Sequence, residues 1–147
     1  MTRALLIAHA VFAFCALFAS THHAVHALLA ARGRQQIAAL RRFGWIAPLC
    51  LAAQTATGLL LYPAYRVDVR GAFLDRVAPH VSQWFDFKEH LGALAIPLVL
   101  ASAVMGRPRE RDDNGPRWPL AAISSTGAAF LWAATLIGLY VAAVKAP

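Results

Sequence analysis

Five of the six histidines in this 147-residue chain, His9, His22, His23, His26 and His90, lie in or at the edge of long apolar stretches. Ionisable side chains are costly in such surroundings, and where they occur in a membrane they usually carry function. His9 stands near the start of the first apolar stretch and His90 near the start of the third. Helices one and three of an up-and-down bundle run the same way, which puts the two imidazoles within about a turn or two of each other in depth. Two neutral imidazoles on facing helices are what a bis-histidine b-type haem needs, and Gly58, Gly92 and Ala93 leave room for a flat macrocycle. The plainer alternative puts His90 at the level of the lipid head groups and uses His9 to hydrogen-bond a neighbouring helix.

His23 follows His9 by 14 residues, about 40° short of four full turns and roughly 21 Å along a helix. That spacing resembles the histidine pairs on one helix of di-haem membrane cytochromes b, a likeness confined to one helix. The third stretch has Val104 where a second histidine would stand, with Met105 beside it as an alternative axial ligand, and the second and fourth stretches have no histidine.

A metal ion is a different use of the same residue type. His22 and His26 form an i, i+4 pair on one helical face. Cys50, read at comparable depth on the antiparallel second stretch, would complete a His/His/Cys set for Cu or Zn, with Asp112 and Asp113 on the same side. The alternative is three interfacial histidines beside an arginine-rich turn. Counted from Arg32 and Arg42, Cys15 and Cys50 differ in depth by roughly 13 Å, too far for a disulfide. Asp86 and Glu89 read as a capping-box start to the third helix. Cys50, Gln54, Thr57 and Gly58 form one stripe, by default a packing face, although a quinone head group would use the same groups.

The elements that must position these residues follow from composition. The chain is 59% hydrophobic and 14% charged, far from the balance of a soluble domain. Four apolar spans, at about 4–31, 43–62, 87–106 and 118–144, use most of it. This excludes a soluble nucleotide-binding domain, a disulfide-stapled module and a disordered tail. The net charge of +7 belongs to arginines at span ends, where it signals topology and lipid contact rather than nucleic acid. Arg32, Arg34, Arg41 and Arg42 mark the first turn as cytoplasmic. Trp45 and Trp118 fall on that side, and Tyr62, Tyr65, Trp84 and Tyr140 on the other, leaving Trp132 alone in mid-span. Tyr62-Pro63 is expected to end the second span. Residues 63–85 then read as an interfacial segment, extended over Arg66–Arg70 and broken at Pro79.

The sequence therefore predicts an all-α integral membrane protein, an antiparallel bundle of four transmembrane helices with an interfacial segment between the second and third. Its expected surroundings are a lipid bilayer, of a bacterial inner membrane, with both termini on the non-cytoplasmic side, and other membrane subunits or a second copy of itself. Three functions stay open: a b-type haem electron-transfer module held by His9 and His90, a non-catalytic accessory subunit of a larger complex, and a Cu- or Zn-handling protein using His22, His26 and Cys50. Catalytic residues are not legible, and no phosphate-cradling glycine loop or Cys-x-x-Cys motif appears.

Overall fold

Helix α1 (Arg3–Ala31) stops where Gly33 takes a left-handed conformation (φ 81°), with Arg34 N–H donating to Leu29 O and Gly33 N–H to Ala30 O, both at 3.0 Å. This is a Schellman closure, and only glycine adopts that φ without strain. The turn is short, so α2 (Ile37–Ala64) returns directly along α1. A π-helical segment (Tyr65–Leu74), the short α3 (Asp75–Val77), α4 (Pro79–Met105) and α5 (Trp118–Lys145) complete a computed structural model that describes residues 3–107 and 117–145. The described residues are all helical apart from brief turns, and four helices are long and apolar enough to cross a membrane.

Helix α1 packs along α2 and α5, and α4 packs along α5 and, less extensively, along α2. Small residues set these approaches. The buried face of α1 is Ala16, Ala19, Ser20, His23, Ala24, Ala27 and Ala31 with one Leu17, so neighbouring backbones come close. All four long helices meet in a central cluster of Ala16, Leu17, Ala19, Ala47, Leu51, Ala95, Val99 and Leu131. Ala27, Ala31, Leu40, Leu120 and Ala121 close the end nearest the arginine turn. The far end is closed by Leu74, Ala78, Val81, Phe85 and Val141, with Tyr62, Tyr65, Phe73 and Ile137 packed against them.

Three sequence expectations change here. Pro63 does not end the second helix: Tyr65 N–H still donates back to Leu61 O and Tyr62 O, and helical structure runs unbroken from Ile37 to Val77. Arg66–Arg70 is wound as π-helix, not extended, and Arg70 reaches across to α4. Asp86 is not a helix cap either. The helix starts at Pro79, whose ring suits a first turn, after Ala78 leaves the helical region (φ −145°, ψ 63°). The Asp86 carboxylate instead takes both guanidinium nitrogens of Arg70, at 2.6 and 3.0 Å. Trp132, the residue outside both aromatic belts, has a polar partner in mid-helix: its indole N–H donates to Thr21 Oγ1 at 3.1 Å.

Candidate functional site

The histidines divide by what their rings touch. His9 on α1 turns toward α2, where Nδ1–H donates to the Gln54 carbonyl at 3.0 Å and lies 3.2 Å from Thr57 Oγ1. Thr57 is there because its hydroxyl is folded back onto its own helix, onto Ala53 O and Gln54 O at 2.9 Å. A Cβ on Gly58 would stand 3.0 Å from His9 Cε1, so the ring packs closely on residue 58 and would have to shift to admit a side chain there. The expected Cys50, Gln54, Thr57, Gly58 stripe is thus in part the seat of His9.

His90 lies elsewhere. It is exposed on α4, its Nδ1–H donating to Asp86 O one turn back at 2.7 Å. Helix α4 packs on α5 and, less extensively, on α2, and the one hydrogen bond of His90 is within its own helix. Since a carbonyl can only accept, Nδ1 carries the proton in both rings and each Nε2 keeps its lone pair.

His22 and His26 use the same tautomer, donating to Phe18 O at 3.0 Å and to Gln36 Oε1 at 2.7 Å. Phe43 packs against both, 5.1 Å from the His22 ring centre and stacked 5.7 Å from that of His26. Cys50 does not join them. The turn occupies residues 32–36, so Cys50 lies 13 residues into α2 while His22 and His26 lie 9 and 5 residues from the end of α1, a depth difference of roughly 6 and 12 Å. By the same register Cys15 and Cys50 are within about a turn of each other, not the greater separation expected from Arg42, and both are free thiols. Among the described residues no group of three or more His, Cys, Asp or Glu could hold a metal ion, and Asp112 and Asp113 lie outside those residues.

The most enclosed ionisable ring is that of His23, the residue whose spacing pairs it with His9. His23 is 2% exposed, with Nδ1 hydrogen-bonded to Ser124 Oγ of α5 at 3.1 Å and Nε2 without a partner. Its ring tip lies between two glycines: a Cβ on Gly44 would be 3.5 Å from Nε2 and one on Gly106 only 3.1 Å. Pro48 sits in the interior of α2 and has no N–H for the Gly44 carbonyl. The available signal in the sequence was the pair of glycines, one near the start of the second span and one at the end of the third.

At the far end, a charged network ties the π-helical segment to α4. Besides the Asp86 pair, Arg70 Nε lies 3.7 Å from Asp75 Oδ1, and Ser82 Oγ–H donates to the same oxygen at 2.6 Å. Tyr65 stacks on Phe85 with ring centres 4.0 Å apart, and its hydroxyl is buried without a partner. Lys88 Nζ stands 4.6 Å from the centre of the same Phe85 ring, and among the described residues it makes no hydrogen bond or ion pair within 4 Å, the neighbouring Glu89 carboxylate acting on it at longer range. The chain matches no protein-family model, no curated protein and no solved structure.

Proposed function

We propose that this protein crosses a membrane as an antiparallel four-helix unit and serves as a non-catalytic subunit of a larger membrane assembly, with His90 on the docking face. The observation that carries this reading is the placement of His90. It shares an exposed face of α4 with Phe87, Leu94 and Val104, all large and apolar, and its Nε2 is the polar acceptor on that face. An acceptor facing hydrocarbon or the bilayer edge gains from a donor on a neighbouring transmembrane helix, and interhelical bonds of this kind hold membrane subunits together. Inside the bundle the histidines already have structural work: His9 joins α1 to α2 and His23 joins α1 to α5.

The test is the mass of the particle extracted in a mild detergent, wild type against His90→Leu. A wild-type particle heavier than the single chain, and a His90→Leu particle reduced to the single chain with helical content unchanged, is the expected result. A wild-type single chain under these conditions overturns the reading.

A second reading keeps the b-type haem. It rests on the shared tautomer of His9 and His90: both Nδ1 hydrogens are held by carbonyls, which leaves each Nε2 with the lone pair that a haem iron would need. Haem bound there would supply one-electron chemistry. The reduced-minus-oxidised spectrum of protein from haem-replete cells tests it. A b-type α-band lost in His9→Ala and His90→Ala, and kept in His22→Ala, supports the haem module, and a colourless preparation rejects it.

A further inference from the structure

The two thiols of the chain lie together where counting from Arg42 separates them. Cys15 is near the middle of α1 and Cys50 near the middle of α2, the helix that returns along it. Two contacts between these helices bracket the pair. On one side the His22 ring of α1 packs on Phe43 of α2 with ring centres 5.1 Å apart, and on the other His9 Nδ1 lies 3.2 Å from Thr57 Oγ1. Cys15 stands seven residues before His22, and Cys50 seven residues after Phe43. Seven residues are about two turns, so an antiparallel pair in contact at His22 and Phe43 carries the same two faces on to Cys15 and Cys50. The Thr57 contact shows those faces still together seven residues further along α2.

The neighbours of the pair allow a close approach. Ala16, Ala19 and Ala47 belong to the central buried cluster, and Cys50 packs against it. Small side chains bring backbones near, and a disulfide needs Cα atoms about 5.5–6 Å apart. The two thiols are close enough to act on each other electrostatically. Neither is shut in, since Cys15 is exposed and Cys50 half-buried. They lie at the edge of the α1–α2 interface, away from His90 on α4.

We propose that Cys15 and Cys50 are a dithiol pair that closes, on oxidation, into one intramolecular disulfide stapling α1 to α2 at mid-membrane depth. Dissolved dioxygen is the oxidant. Each thiol gives up one proton and one electron, an S–S bond forms between the two sulfurs, and dioxygen takes both hydrogens to become hydrogen peroxide. The bridge would fix the register of the two most extensively packed helices, and a charged thiolate reductant in the water phase does not enter hydrocarbon to undo it.

The test is oxidation of the full chain in lipid nanodiscs, one chain per disc, by air with the membrane-permeant catalyst copper phenanthroline. Intact mass after alkylation reads the result. The reduced wild type should take up two alkyl groups in denaturant, and the oxidised wild type none, its mass lower than the unalkylated chain by two hydrogens. Cys15→Ser and Cys50→Ser should each keep one alkylatable thiol. Cys50→Ser combined with Ala52→Cys keeps a second thiol at the same depth but turns it about 200° round α2, and should close at least about tenfold more slowly. The oxidised wild type should also melt at a higher temperature than the reduced, with Cys15→Ser unmoved by the same treatment. Circular dichroism confirms that every variant is helical. Two free thiols in the folded, oxidant-treated wild type, or equally fast closure in the Ala52→Cys variant, overturns the proposal.

Discussion

The two ends of the bundle solve the same problem, how to place polar groups among apolar helices, in opposite ways. At the end near the arginine turn a single imidazole is enclosed by close packing: Gly106 makes the space, Gly44 lies against the ring, and Ser124 supplies one hydrogen bond. At the far end the polar groups are many and charged, and the backbone itself is wound into a π-helical segment from which Arg70 reaches Asp86 and Asp75. The first arrangement depends on shape and should tolerate almost no added volume. The second depends on charge pairing at partly exposed positions and should yield by smaller steps.

The strongest way to break that contrast is Gly106→Val. Its Cβ would stand 3.1 Å from His23 Nε2 and 3.2 Å from the Ser102 carbonyl, and overpacking of this kind costs about 1–3 kcal/mol. We expect the upper part of that range in reversible unfolding from mixed micelles. The same change in a His23→Ala background should cost less, and the difference measures the coupling between ring and glycine. An equal penalty in both backgrounds would mean that Gly106 is limited by its own backbone and not by His23.

Arg70→Met should cost about 1–2 kcal/mol, since it leaves two carboxylates without their cation at positions that water still reaches. Pairing it with Asp86→Asn should recover part of the loss in a double-mutant cycle, and raising the salt should shrink the coupling. Gly58→Ala places a Cβ 3.0 Å from His9 Cε1, and we expect about 1 kcal/mol, because a half-exposed ring can shift where the enclosed His23 cannot. The smallest effect belongs to Trp132→Phe, which removes the indole N–H from Thr21 Oγ1. One neutral hydrogen bond with an exposed ring sets that at about 0.5–1 kcal/mol, read from the same unfolding curves.

Hydrophobic runs and turn residues made the four long helices legible: Gly33 and Pro79 punctuate the chain where the sequence places a helix end and a break. The helix boundaries were less so. Arg66–Arg70 alternates in polarity, and alternation reads as a strand, but the deciding interaction is an ion pair sixteen residues away in sequence that local pattern does not contain. Depth counted from Arg42 misplaces Cys50 for a related reason: α2 begins at Ile37, so every residue on it lies deeper than the arginines suggest. Of the candidate residues, His9 was legible as an inward group because Gly58 and Thr57 are spaced to receive it. His90 was not, since its position on α4 gives depth and says little about direction. His23 was hidden among its neighbours His22 and His26, and only burial separates them.

The closure at Gly33 also bears on how the chain reaches its final orientation. A turn only five residues long, from Arg32 to Gln36, joins α1 to α2, so in a bilayer the two would enter as one hairpin. Four arginines, Arg32, Arg34, Arg41 and Arg42, sit at its tip or within the first turns beyond it. Carrying them through hydrocarbon to invert the hairpin would cost about 10 kcal/mol or more on insertion scales. In a bilayer, such a hairpin would therefore keep the orientation in which it entered.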